Sequence, residues 1–284
     1  KKFFIVILPA ILAGGIIQIN LLVDTIFASL LETGSPTWLY VSDRLVQFPM
    51  GIFAIAVGTV LLPALSKLDI NKEKIIFINS IKKGQKFVLF IGIPSLIGLM
   101  FCAEDLISTI FYRGAFTELD VLRSSYSLIA FSFGLPFFML MKVLTPAFFA
   151  RKDTKTPMYV AIVSLLLNAS LNYLLAFTFG LGHIGIAIGS SIAALISVII
   201  LELILYRDGF FKIQSIFNRF NLMLLAASSA LIIFLYFFTS WTNFLELNQI
   251  ERLFFLFIEI IISVVIYFSI SRLVFMRPLR EIFD

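Results

Sequence analysis

Apolar residues run along this chain in blocks of about twenty, broken by short polar segments, with neither the strict alternation of a half-buried strand nor the one-sided stripe of a soluble helix. A run of about 20 apolar residues spans the roughly 30 Å of a bilayer's hydrocarbon as a helix. Eight such runs are read, at approximately 3–31, 37–65, 84–103, 124–148, 157–179, 184–206, 220–240 and 252–275. The predicted fold is an all-α polytopic membrane protein with eight transmembrane helices. Short connections at 32–36, 151–156 and 180–182 make consecutive helices antiparallel neighbours.

Two longer connections differ. The segment 71–86 mixes Ile75, Ile76, Ile78 and Ile81 with five lysines and reads as a basic amphipathic helix lying on the membrane surface. The segment 206–219 carries Asp208-Gly209, then Phe210, Phe211 and Ile213, and separates six spans (1–206) from a linker and two-helix hairpin (207–284). The hairpin is the less polar part, with Glu259 its one charge well inside a span. Pro and Gly recur in the first four spans, among them Pro9, Gly14, Gly15, Pro49, Gly51, Gly58, Pro63, Pro94, Pro136 and Pro146. They fit either the broken helices of a transporter or ordinary small-residue packing.

Composition agrees: 60% hydrophobic, 14% charged, 33 Phe. The net charge of +5 acquires meaning from its placement. With the N-terminus inside, the outer segments hold only Arg113, Arg123 and Arg252, and Arg44 and Lys142 lie within spans. The other 17 of the 22 basic residues are inside, so both ends of the chain are expected to be cytoplasmic. Basicity here is topology, with anionic membrane lipids as partner and no nucleic acid. Cys102 and His183 are each the only residue of their type, which removes disulfide frameworks, zinc sites and Cys-His catalysis. The chain starts at Lys1 and enters a span almost at once without a cleavage site, so it is expected to be the C-terminal portion of something longer.

Arg44 is the most informative residue. It follows Asp43 inside the second span, and a charge at such depth costs roughly 2.5–3.5 kcal/mol on insertion scales, so it marks a protein interior or a substrate path. Tyr40, Asp43, Arg44 and Gln47 recur at three- and four-residue spacing and share one face. The guanidinium offers a planar fork matched to phosphate oxygens; the alternative is a structural Asp43-Arg44 pair between helices. Lys142 is a second intramembrane cation, either facing the cavity or snorkelling inward. A separate polar set comprises Asp24, with Asn20 and Gln18 near it, Asn168 and Asn172 one turn apart, and Ser190 with Ser191. Oxygen donors without nitrogen or sulfur suit a hard cation, and a single acid suits a monovalent one, so Asp24, Asn168, Asn172 and Ser190 are a candidate sodium or proton coupling site; interhelical hydrogen bonding is the alternative. Glu202 lies near the inner end of its span. His183 reads as a loop residue, and Glu104, Asp105, Glu118 and Asp120 as a solvated outer face.

Particular stretches resemble the lipid II flippase family MurJ/MviN, of the multidrug/oligosaccharidyl-lipid/polysaccharide exporter superfamily. They are Leu8-Pro9-Ala10, Gln18-Ile19-Asn20, Thr25 to Ser29, Asp43-Arg44-Leu45, Phe48-Pro49, Gly58 to Pro63 and, most specifically, Lys142 to Pro157. The resemblance implies a bacterial inner-membrane transporter rather than an enzyme, without a cofactor. Members have two six-helix lobes and two extra helices, so this chain corresponds to the second lobe and the hairpin, family helices 7–14, with the N-terminal lobe as partner. It further implies that Arg44 in the Asp43-Arg44 motif handles the pyrophosphate of lipid II, beside the other candidate substrate-binding residues Asp43, Gln47 and Lys142, and that the hairpin resembles the part assigned to the lipid tail. One lobe alone is not expected to flip the lipid. Gln47 stands where some members carry Glu, and Asn172 is an amide where a cation site would gain from a second acid.

The rival readings are a flippase or exporter of another polyprenyl-linked oligosaccharide or of cationic drugs, and a membrane-embedded transferase acting on polyprenyl lipids. A drug exporter would favour buried acids over an arginine, and a transferase needs a catalytic base or metal-binding acids that one histidine and scattered carboxylates do not supply.

Overall fold

The computed structural model describes residues 2–70, 72–211 and 218–274, with side chains from residue 11 onward except 13, 17 and 274. Every regular element among them is helical. α1 (Lys2–Ser29) is followed by α2 (Ser35–Pro49), a π-helical segment (Met50–Ala54) and α3 (Ile55–Ser66), which together form one continuous rod. Then come α4 (Lys74–Phe101), the short α5 (Ala103–Phe111), α6 (Glu118–Ala150) and α7 (Lys155–Asn172), whose end widens into a second π-helical segment (Tyr173–Thr178). The order closes with α8 (Gly182–Arg207), α9 (Arg219–Trp241), a 3-10 turn (Phe244–Glu246) and α10 (Gln249–Val274). Among the described residues seven helical segments are long and apolar enough to cross a membrane, and α1 adds a shorter apolar helix, Gly14–Ser29. The chain is a multi-pass membrane protein.

α6 is the axis. Thr117 and Asp120 close a capping box at its N-terminus, each reaching the other's backbone N–H. Leu128, Leu135, Met139, Val143, Leu144, Ala147 and Phe148 then lie fully buried along it. Against them pack Leu61 and Leu65 of α3, Ile81 and Val88 of α4, and Ile186, Leu201 and Leu205 of α8. At one crossing α3 comes so near that a Cβ on Gly58 would sit 2.8 Å from the Lys142 carbonyl oxygen. A second, smaller core joins the hairpin to α4 through Phe90, Ile97, Met223, Ala227, Leu231, Leu235 and Tyr267.

Side-chain contacts sort the connections into two ends. At one, Trp38 donates to Asp120 at 2.7 Å, Arg123 lies 3.6 Å from Glu32, and His183 packs edge-on against Trp38 at 4.8 Å. At the other, Arg151 bonds Asp208 at 2.7 Å while Phe210 is covered by Arg151, Lys74 and Phe77. The connections therefore alternate between ends as the short loops required.

Three expectations are corrected. The basic segment is no separate surface helix: from Lys74 it forms the first turns of α4, with Phe77, Ile78 and Ile81 buried in protein and only Ile75 and Ile76 turned outward. Protein, not lipid, covers most of its apolar side. His183 belongs to the first turn of α8, buried beneath Trp38, and its Nε2 lies 3.1 Å from the Arg123 carbonyl oxygen. Asp105 is buried on α5 and Asp120 is engaged by Trp38, so the outer acids are not a uniformly solvated face. Asn71, the 212–217 part of the linker, and Lys1, Arg277 and Arg280 of the charge tally lie outside the described residues.

Candidate functional site

α2 is anchored by one face and presents another. Trp38, Leu39, Val41, Ser42, Val46 and Pro49 are buried, and Ser42 bonds both the Trp38 carbonyl of its own helix and the Ser124 carbonyl of α6, each at 2.7 Å. That link sets the helix's rotation, because the residues opposite must then face out. Tyr40, Arg44 and Phe48 are exposed on that opposite face, one turn apart, with Asp43 and Gln47 half-buried beside them.

Asp43 and Arg44, whose alternative reading is a structural pair between helices, are linked indirectly and within α2. Among the described residues no ion pair joins the two. Instead Arg44 Nη1 donates to Gln47 Oε1 at 3.3 Å while the Gln47 amide donates to Asp43. Arg44 Cζ also lies 4.7 Å from the centre of the Tyr40 ring. A neutral amide and an aromatic face thus hold the guanidinium in place without cancelling its charge. The remaining N–H groups are available to an anion.

Lys142 is not brought to Arg44. It is half-buried on α6, and its backbone abuts Gly58, fourteen residues beyond Arg44 along the α2–α3 rod. At about 1.5 Å per residue that separates the two levels by about 20 Å.

Asp24, Asn168, Asn172 and Ser190, by contrast, meet. Asn172 Nδ2 donates to Asp24 Oδ1 at 2.6 Å and to Asn168 Oδ1 at 2.9 Å; Asn168 Nδ2 donates to Ser190 Oγ at 2.8 Å; Ser190 donates to Asp24 Oδ2 at 3.3 Å. The four close a ring that ties α1, α7 and α8 together. Gly189 makes room for it, since a Cβ there would collide with the Asn172 side chain. The second π-helical segment begins at the next residue after Asn172.

The donor set can be tested against a cation. The acceptor atoms of the ring are all oxygen, and the buried Oδ1 of Asn172 has no hydrogen-bond partner. That oxygen and the single carboxylate of Asp24 are the donor types a monovalent hard cation takes, and the carboxylate is the one group of the four that can take a proton. Among the described residues no group of three His, Cys, Asp or Glu could hold a metal ion. The supporting residues Trp38, Ser42 and Ser124 were not singled out from sequence. Ser42 sits one turn after Trp38, a pattern common to many membrane helices, so only the fold reveals its bond to α6.

The family model described as lipid II flippase MurJ matches residues 1–264. The chain belongs to the MurJ lipid II flippase family. A probable lipid II flippase MurJ of Vibrio cholerae is 41% identical over 212 residues, covering 75% of this chain and 40% of the relative. One of Buchnera aphidicola from Acyrthosiphon pisum is 35% identical over 251 residues, covering 87% and 49%. A solved lipid II flippase MurJ in an inward closed conformation superposes with a TM-score of 0.74 at 31% identity, over 92% of this chain and 51% of that one. A eukaryotic MATE transporter shares the fold alone, at 17% identity and a TM-score of 0.63. The chain thus spans about half the length of the MurJ relatives it matches.

Proposed function

We propose that this chain is the lipid-recognising second half of a lipid II flippase. Residues 1–206 form the C-terminal six-helix lobe, with α1 as an eighth membrane span in the count, and 207–284 the linker and added hairpin, corresponding to family helices 7–14. The N-terminal lobe completes the cavity that the Tyr40-Arg44-Phe48 face looks into. The protein works in the bacterial cytoplasmic membrane with both ends of this chain in the cytoplasm, where the inner lysines meet anionic lipid.

The observation that carries the reading is Arg44, exposed on α2 and not ion-paired with Asp43. Its fork engages the pyrophosphate of lipid II, Tyr40 and Gln47 hold it in position, and Asp43 steadies Gln47. Lys142, about 20 Å away along the rod, serves the inner end of the path rather than the same contact. A flippase moves this anionic head group by rocking one lobe against the other around the site. Each elementary charge moved across 100 mV is worth about 2.3 kcal/mol, so the membrane potential acts directly on the cycle.

The ring of Asp24, Asn168, Asn172 and Ser190 is the coupling site, for sodium or a proton. A bound cation there supplies the positive charge that balances Asp24. The residues themselves hold α1 against α7 and α8, and turning the Asn172 amide would offer oxygen in place of N–H.

Complementation of a flippase-depleted strain by the full-length protein tests the head-group contact. Arg44→Ala and Arg44→Lys are both expected to fail at normal membrane levels, because lysine cannot form the bidentate contact. Full rescue by Arg44→Ala would make the α2 face scaffolding.

A further inference from the structure

The hairpin's second helix is fastened to the lobe by a seam in which polar side chains outnumber apolar ones. Gln249, Arg252, Leu256, Glu259, Ser263 and Tyr267 recur at three- and four-residue intervals on α10. Gln249 donates to the Thr109 carbonyl at 2.8 Å, Arg252 donates to the Phe244 and Leu245 carbonyls at 2.7 and 3.0 Å over the Tyr112 ring, and Tyr267 donates to the Phe90 carbonyl at 2.8 Å. Of these four bonds, those of Gln249 and Tyr267 clamp α10 to α5 and α4, and the two of Arg252 stay within the hairpin.

The middle of the seam is different. Glu259 is fully buried, and its Oε1 lies 3.1 Å from Cys102 Sγ. One turn from Cys102, Asp105 is also buried. Its Oδ2, the Oε2 of Glu259 and the hydroxyl of Thr109, a turn beyond Asp105, all lack a hydrogen-bond partner. Among the described residues neither carboxyl has an ion-pair partner. The nearest arginine on α10, Arg252, is spent on two carbonyls and a ring, and α9 carries no charge except Arg219 at its far end. Glu104 on α5 and Glu251 on α10 add only negative charge.

Two carboxylates in one buried site without a cation do not both ionise. We propose that Asp105 and Glu259 form a proton-binding site that latches α10 to the lobe, so that attachment of the C-terminal hairpin depends on protonation. Asp105, on the short helix outside the spans, has its carboxyl pushed up to about 8, by burial foremost and then by Glu259 and Glu104. A proton is bound in the docked state and released on opening, so the latch is tightest near the ordinary carboxylate value of 3.8, weakens steadily as pH rises from there, and has lost this contribution by about 8. One proton released per opening shifts the docking equilibrium up to about tenfold per pH unit between the ordinary carboxylate value of 3.8 and about 8, and the dependence levels off above that.

The test uses the full-length gene product in lipid nanodiscs, as wild type, Glu259→Gln and Asp105→Asn, from just above the ordinary carboxylate value of 3.8 to beyond about 8. Infrared difference spectra are expected to show a protonated carboxyl in wild type that either substitution removes and that disappears with rising pH. Hydrogen exchange of the α10 amides, corrected for the chemical rate, should accelerate up to about tenfold per pH unit as pH rises toward about 8 in wild type, level off above it, and stay flat in Glu259→Gln. If that variant does not fold, Asp105→Asn carries both readouts. Wild-type α10 exchange indifferent to pH, or no carboxyl signal sensitive to either substitution, overturns the proposal. So does protection restored at high pH by added sodium or calcium chloride, which would make the occupant a metal cation.

Discussion

Gly58→Ala isolates the packing that supports the Arg44 rod. A Cβ at that position meets the Lys142 carbonyl oxygen at 2.8 Å and that residue's carbonyl carbon at 3.8 Å. Ordinary contact begins near 3.4 Å, so α3 and α6 must part by about 0.6 Å or the helix must rotate. The atom in the way is backbone, held within the α6 helix, and cannot swing aside like a side chain. Separation would also loosen Leu61 and Leu65 against Val143 and Leu144, all in the same core. Overpacking of this kind costs about 1–3 kcal/mol. Gly98→Ala is the control: nothing lies within 4 Å of a Cβ there, and alanine in a helix is worth up to about 1 kcal/mol over glycine. Thermal unfolding of the purified full-length variants in detergent, read by loss of the monodisperse peak after heating, should rank Gly98→Ala at or above wild type and Gly58→Ala clearly below. Gly58→Ala as stable as Gly98→Ala would refute the close approach of α3 to α6.

Asn172→Asp replaces a donor with a second acidic oxygen beside Asp24, so thermal stability should become more dependent on sodium than in wild type when sodium is exchanged for choline; an unchanged salt response counts against a cation in the ring. Trp38→Phe removes the 2.7 Å bond to Asp120 and should cost about 1–2 kcal/mol in the same unfolding assay, whereas Trp241→Phe, at an 83% exposed position, should be neutral. The Asp208 carboxyl is held below its ordinary value by the hydrogen bond from Arg151 foremost. Its stabilisation is therefore complete above the usual carboxylate value of 3.8 and is lost as pH falls below it. Asp208→Asn should flatten the acid limb of the stability profile; an unchanged limb would show that the bond adds nothing.

Hydropathy alone determined that the chain is helical and crosses a membrane repeatedly, because every backbone polar group in lipid must be satisfied within its own helix. It also marked Asp24, Asp43, Arg44 and Asn172, since polar groups at depth are too costly to be incidental. The i, i+4 spacing of Asn168 and Asn172 foretold a shared face, and the helices then brought both to Asp24 and Ser190. What lay beyond reach were relations between helices. That Gln47 stands between Arg44 and Asp43 depends on rotamers, and that Lys142 sits far from Arg44 depends on where α6 crosses α3. Residues 74–86 were misread as a surface helix because amphipathicity does not say whether lipid or protein covers the apolar side. Asp105 was misread as solvated, and Glu259 left without a partner, for the same reason. Burial of a residue near a helix end is decided by what packs over it, and the covering helix, α10, arrives from more than 140 positions along the chain.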